Sequence, residues 1–403
     1  MACPAANGGR KCRPNLELAD VFREHTGRLS GLSRQQWRVA RAIAACRTAA
    51  LGGHVQECDN CSHREISYNS CRNRHCPKCQ RLEEARWLQA RQAVLLPTEY
   101  HHFVLTVPHS LHPFFRVEPK LTYDLLFAAV AETLLEVGRN PKNLGATIGF
   151  TAVLHTWTQT LLYHPHIHCI VTGGGLSNDG TRWVSSKHRF LFPVAILAEV
   201  FRGKFLDKLE QSLAKKKIRA PQAHPEALLQ EAARKRWVIY SKPPFAGPDQ
   251  VLRYLGRYTH RIAISNERLV SMQDGQITFR WKDRAHGNQS KLMTLDAPEF
   301  LQRFLLHVLP RGLVRVRHYG LVANGAKRKL IASCRRLLGV DQPDEPAAGD
   351  STVAAETWQE LFQRLTGRDV TLCPKCQTGH LVRKESGSAI SPPSTPPAVG
   401  RSP

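Results

Sequence analysis

Three groups of side chains in this sequence have the types and spacing to do chemistry. In His164-Pro165-His166-Ile167-His168-Cys169-Ile170-Val171, an extended backbone sends alternate residues to opposite faces. His164, His166 and His168 then share one wall, while Ile167, Cys169 and Val171 share the other. One histidine on a half-buried strand is an ordinary hydrogen-bonded residue, but a row of imidazoles needs a common partner, which a metal ion or a phosphate supplies. The second group is Tyr254 and Tyr258, which at i and i+4 emerge from one face of a short helix. Spacing alone also fits two half-buried tyrosines on an amphipathic turn. Their neighbours Arg253, Arg257, His260 and Arg261 favour a phosphate-facing role, because a phenol close to cations ionises more easily. The third group is Cys58-x-x-Cys61 and Cys76-x-x-Cys79, separated by fourteen residues. That spacing lets two knuckles close a tetrahedral tetrathiolate zinc site with no open position for water, hence a structural one. Cys46, His54, Cys71 and His75 interleave with these four and offer a second site of two cysteines and two histidines.

The elements that position these groups read as mixed α and β. The histidine strand runs toward a turn at Gly173-Gly174-Gly175, and Phe150 to His155 reads as the strand before it. Phe103 to Val107 is a third strand, and antiparallel pairing of the three makes a central sheet. Leu121, Leu126, Val130 and Leu134 mark a long helix ending near Gly138, and two helices fill 192–234, before a strand at Trp237 to Tyr240. In the cysteine-rich part, Ser33 caps a helix over 34–51 with Gly52-Gly53 as its stop, and a second helix spans Arg81 to Leu96. Arg268 to Lys282 alternates across Asp274-Gly275 as a hairpin, and Asp296-Ala297-Pro298-Glu299 caps a helix through Leu309.

Composition points to a polyanionic partner. Fifty-seven Lys and Arg against 33 Asp and Glu leave a net charge of +24, spread along all 403 residues, and such a field attracts nucleic acid. Arg72, Arg74 and Lys78 lie among the cysteines, and Lys327 and Arg328 belong to a last basic segment over 313–338 that could track phosphates. No run of apolar residues is long enough to span a bilayer, and no signal peptide is visible. Cysteines in C-x-x-C spacing suit a reducing cytosol and metal binding rather than disulfides. Near the end, Cys373-Pro374-Lys375-Cys376 is half a knuckle, with His380 as one candidate third ligand and no fourth. A Ser/Pro-rich stretch after it reads as disordered.

Taken together, His166-Ile167-His168, the later Tyr254-x-x-x-Tyr258 and the preceding cysteine module resemble the two-tyrosine rolling-circle transposases of the insertion-sequence ninety-one family, within the HUH endonucleases. The resemblance covers most of residues 30–330. It implies an α+β fold with an HUH-type central antiparallel sheet flanked by helices and preceded by a small zinc-binding domain. The domains would be 16–100 for zinc binding and DNA recognition, 101–338 for catalysis, 339–383 for linker, helix and half knuckle, and 384–403 for the tail. It further implies a catalytic Mg²⁺ or Mn²⁺ on His166 and His168, with His164, Gln159 or His260 as candidate third ligands, and Tyr254 and Tyr258 as nucleophiles. Structural Zn²⁺ would sit on the cysteines. The partners would be single-stranded and duplex DNA at element ends and target, in the cytoplasm at the nucleoid. A non-catalytic zinc-dependent DNA-binding protein, a rolling-circle replication initiator and a tyrosine recombinase are the alternatives.

Overall fold

The computed structural model describes residues 16–80, 87, 95–187, 190–222, 224–245, 250–251, 256, 262–284, 286–324, 327–340, 357, 359–360, 363, 369–384 and 389–390. The chain opens with α1 (Leu18–His25) and α2 (Arg34–Ala45), followed by a hairpin of β1 (Gly53–Cys58) and β2 (Arg64–Tyr68). Next come β3 (Tyr100–Thr106), α3 (His112–Val117), α4 (Pro119–Arg139), β4 (Ala146–Trp157), β5 (Tyr163–Ser177) and β6 (Trp183–Ser185). Then follow α5 (Val194–Ala214), α6 (Pro225–Arg234), β7 (Ile239–Phe245), β8 (Leu269–Gln273), β9 (Gln276–Asp283) and β10 (Gln289–Asp296). The last are α7 (Ala297–Leu305), β11 (Val316–Gly320), α8 (Lys327–Leu337), β12 (Leu381–Arg383) and β13 (Ala389–Ile390).

The expected α+β architecture is present. The central sheet has the order β11-β4-β5-β3-β7, with β6 on β5, and its pairs are antiparallel. Alternation gives each strand an apolar side: Phe103, Leu105, Leu154, Ile167, Cys169 and Val171 pack with Phe127, Leu134, Phe201 and Phe205 of α4 and α5. Burying a side chain of this size contributes roughly 1.5–3 kcal/mol. This core holds one face of the sheet rigid, which leaves the other to carry polar groups.

A second core joins segments far apart in the chain. Phe22, Val39, Ile43, Cys46, Cys76 and Cys79 pack with Trp157 at the end of β4 and with Ile264, Phe279, Phe300 and Phe304. Phe22 and Phe304 meet edge to face at 5.7 Å, and Gln36 Nε2 donates to the Leu305 carbonyl at 3.0 Å. The cysteine-rich module therefore shares its interior with the three-stranded sheet β10-β9-β8 and α7.

Several local expectations are corrected. Ser33 does cap α2, its hydroxyl accepting from Gln36 N while the Gln36 side chain returns to the Ser33 N–H. But the helix stops at Ala45, not near Leu51, because Cys46 turns extended to deliver its sulfur to other thiols. Gly173, Gly174 and Gly175 form no turn; β5 runs through them to Ser177. A Cβ on these residues would lie 2.7, 2.6 and 2.5 Å from the carbonyl oxygens of Glu99, Val184 and Thr147, so the glycines admit neighbouring backbone rather than reverse the chain. The Asp274-Gly275 hairpin gains an unforeseen third strand, β10. The helix opened by Ala297 ends at Leu305, and the strand foreseen from Trp237 begins at Ile239. Most of the helix expected over 81–96 lies outside the described residues.

Candidate active site and metal centres

The face of the central sheet opposite the helical core carries a cluster of imidazoles. His166 and His168 project from β5, and antiparallel register sets His155 of β4 directly opposite His166. The ligand atoms of His155, His166 and His168 all lie within 4.8 Å of one another, and all three residues are buried. The Nε2 atoms of His166 and His168 approach to 3.1 Å. His166 Nδ1 contacts the His164 carbonyl at 2.6 Å, so that nitrogen carries the proton and Nε2 presents its lone pair to His168. Two nitrogens so placed are satisfied by one shared proton or by a cation bound to both.

His155 was not among the ligands foreseen. The strand that carries it was expected, but its register against β5 is a tertiary fact. Of the residues foreseen as a third ligand, His164 lies beside His166 with ring centroids 5.1 Å apart but outside the convergent set. Gln159 offers its carbonyl to Arg268, and His260 lies outside the described residues. His102 was also unforeseen. Its Nε2 lies 2.9 Å from His168 Nδ1, and the two rings stack at 5.1 Å. Burial, then the charges of Lys242, His166 and Arg284, push the His102 pKa down to about 3, which keeps the ring neutral and able to accept from His168 Nδ1.

Tyr254 and Tyr258, with Arg253, Arg257 and Arg261, lie outside the described residues. Val251, three residues before Tyr254, is described. It is helical and buried, and it packs with Tyr100 and Ile170. Ile170 pairs with His102 and follows His168 by two residues on β5, so Val251 covers the histidine-bearing face.

The cysteines are grouped otherwise than their spacing suggested. Cys58 and Cys61 do not join Cys76 and Cys79. Instead Cys46, Cys71, Cys76 and Cys79 converge, and Cys58, Cys61, Cys373 and Cys376 converge separately. In the first cluster the Sγ–Sγ distances are 3.7 Å for Cys46–Cys79, 3.6 Å for Cys71–Cys79 and 3.6 Å for Cys46–Cys76. A zinc ion bound at about 2.3 Å by four tetrahedral thiolates would hold them about 3.8 Å apart, so the residues fit that ion. Neighbouring thiols hold Cys79 far below the usual thiol range as a thiolate. His54 and His75, foreseen as ligands, belong to neither cluster. His54 sits in β1 opposite Ser67. His75 is buried and its Nε2 accepts from the Leu309 N–H at 3.4 Å, and burial beside Arg74 and Arg315 pushes its pKa down to about 3. His380 pairs with Asp369 at 3.5 Å and ligates nothing among the described residues.

The basic residues divide in the same way. Arg72 is exposed, but Arg74 turns inward and donates to the carbonyls of Leu313 at 2.6 Å and Pro310 at 2.7 Å, and Lys78 pairs with Glu17. Arg74 thus stitches the cysteine module to the rest of the chain and Lys78 ties it internally to the residue before α1, rather than both forming a free basic surface. In the segment over 313–338, Arg315 is buried, and Arg317 pairs with Asp124 over the ring of Phe127. The side chains of Lys327 and Arg328 lie outside what is described, although both residues open α8. Among the described residues, no helix is long and apolar enough to cross a membrane.

Comparison with known proteins adds to this geometry. Residues 149–329 match a family described as "Putative transposase", and residues 17–107 match one described as "Transposase zinc-binding domain". The chain is 46% identical over 394 residues to "Putative transposase y4qJ" of Sinorhizobium fredii, covering 94% of this chain and 98% of that protein. It is 28% identical over 324 residues to "Transposase for insertion sequence element IS801" of Pseudomonas savastanoi pv. phaseolicola, covering 77% of this chain and 76% of that protein. No solved structure matches the chain.

Proposed function

We propose that this chain, which belongs to the insertion-sequence ninety-one transposase family, nicks single-stranded DNA at the ends of a mobile element and rejoins it through a 5′-phosphotyrosine. The observation that carries this reading is the convergence of His155, His166 and His168 on one buried face of an antiparallel sheet. These three would hold a Mg²⁺ or Mn²⁺ ion, which when bound polarises the scissile phosphodiester. Imidazoles alone suit zinc equally well; for Mg²⁺ or Mn²⁺, phosphate oxygens and water would have to supply the hard ligands. His102 fixes the ring of His168 through its Nδ1.

Tyr254 or Tyr258 supplies the phenolic oxygen that bonds to phosphorus. The bond to the 3′-oxygen breaks, and that oxygen takes up a proton to leave a free 3′-hydroxyl. The ester linkage is retained on the enzyme, so joining to a second DNA end consumes no nucleotide triphosphate, and two tyrosines allow two linked cleavages. Support for bringing the phenols to the histidines comes from Val251, three residues before Tyr254, which packs on the histidine-bearing face. Cys46, Cys71, Cys76 and Cys79 hold a structural zinc within the core shared by α1, α2 and α7. The DNA partners are single strands and duplex at element ends and target, in the cytoplasm at the nucleoid.

The test is incubation with single-stranded DNA carrying an element end, followed by denaturing electrophoresis. Mg²⁺ or Mn²⁺ is expected to give a covalent adduct that EDTA prevents and that is lost when Tyr254→Phe and Tyr258→Phe are combined. His155→Ala, His166→Ala and His168→Ala are expected to abolish nicking while DNA binding persists. Undiminished nicking by the histidine variants, or cleavage of duplex DNA in EDTA, would overturn the reading, the latter in favour of a tyrosine recombinase.

A further inference from the structure

The second thiol cluster lies outside the interior that holds the first. Its ligands come from opposite ends of the chain. Cys58 ends β1 and Cys61 lies in the turn that leads to β2, whereas Cys373 and Cys376 belong to a segment beyond both matched families, which end at residues 107 and 329. We propose that these four cysteines bind a second zinc ion, which clips the C-terminal segment onto the N-terminal hairpin.

The sulfur geometry is that of a tetrahedral site. Cys58–Cys376 and Cys61–Cys373 each have Sγ atoms 3.7 Å apart, and all four sulfurs lie within 4.8 Å of one another. A disulfide would need about 2.05 Å, whereas a tetrathiolate zinc needs about 3.8 Å. The backbone is folded as two knuckles. The N–H groups of Asn60 and Cys61 point at Cys58 Sγ at 3.4 and 3.5 Å, and Gly379 N–H points at Cys376 Sγ at 3.3 Å, the donors that thiolates accept. Gly379 passes so close that a Cβ there would lie 2.6 Å from Cys58 Sγ and 2.6 Å from Asn60 Cβ. Four soft ligands exclude Mg²⁺ and leave no open position, so the site is structural.

Pairing of the backbone supports the same meeting. β12 adds to the free edge of β1 with Cys58 opposite Leu381, and Asp59 Oδ1 accepts from His380 N–H at 2.7 Å. β13 extends that edge at Gly53 and His54, which also places a strand in the stretch expected to be disordered. The segment has little else to hold it. Among its described residues 369–384, only Cys373 and Gly379 are buried, and Val370, Leu372 and Val382 are exposed. A piece of chain without an apolar core needs a staple to stay folded, and metal supplies it.

The experiment is zinc content of the full-length protein, measured by elemental analysis against protein concentration. The unaltered protein is expected to hold at least two zinc per chain, and Cys373→Ser/Cys376→Ser and Cys58→Ser/Cys61→Ser are each expected to hold one fewer. One zinc in the unaltered protein, or an undiminished count in either double variant, would overturn the proposal. Should a variant fail to fold, alkylation of the unaltered protein decides. Cys58, Cys61, Cys373 and Cys376 are expected to be protected until a chelator is added. Their immediate alkylation, or recovery of disulfide-linked peptides joining the two pairs, would overturn it. None of these readouts depends on DNA cleavage.

Discussion

At the residue scale, the histidine face shows how one buried ring can govern another. His102 touches no reacting atom in the proposed reaction, but it holds His168 at 2.9 Å. His102→Ala is expected to lower nicking by about 10–100-fold, the usual effect of removing a partner behind a ligand. DNA affinity should be unaltered, and excess Mn²⁺ should restore part of the rate. His307 makes a different prediction. It is buried, its Nε2–H donates to the Leu161 carbonyl at 3.0 Å and its Nδ1 accepts from Thr156 at 3.2 Å. Burial pushes its pKa from an ordinary 6.5 down to about 4. The unfolded chain therefore takes up a proton below about 6.5 that the folded chain refuses until about 4. This contribution is fully present above that window and is lost as pH falls through it, about 3 kcal/mol in all. Urea denaturation at pH 7 and pH 5 should show the loss, and His307→Gln should reduce it.

At the element scale, the sheet that carries the site depends on strands meeting without side chains between them. Gly320 ends β11 at φ +59°, and a Cβ there would lie 1.9 Å from the Ile148 carbonyl oxygen. Gly320→Ala is expected to cost about 1–3 kcal/mol, seen as a lower urea midpoint. Gly203 in α5 is the control, exposed and with nothing within 4 Å of a new Cβ. Gly203→Ala should raise stability by about 0.5–1 kcal/mol through helix propensity. The direction differs because one glycine answers a close approach and the other answers nothing. The same reasoning corrects the Gly173 to Gly175 run: composition suggests a turn, and packing against three carbonyls makes it strand.

At the scale of the whole molecule, a net charge of +24 predicts DNA binding that weakens steeply with salt, because releasing condensed counterions gains less free energy as bulk salt rises. Only part of that charge faces outward. Arg72 is exposed while Arg74 is committed to the carbonyls of Leu313 and Pro310. Arg72→Ala should weaken single-strand binding evenly across sequences, with a log–log salt slope shallower by about 0.7. Arg74→Ala should instead lower the thermal midpoint, since it removes the donor to the part-buried carbonyls of Leu313 and Pro310. Fluorescence anisotropy across a salt series and a thermal melt distinguish the two.

The sequence by itself determined the local features: alternation on the histidine strand, the Ser33 cap, the hairpin at Asp274-Gly275, the α+β class, and the motifs whose order marks the family. These follow from short-range geometry, where period and turn chemistry act over a few residues. Tertiary structure decided which thiols share a cluster, that His155 rather than His164 completes the imidazole set, and that Arg74 and His75 are structural. Each of those depends on strand register or on a meeting of distant segments, as between Cys61 and Cys373. No spacing along the chain encodes such a meeting, because the free energy that selects it comes from cores assembled across the whole fold.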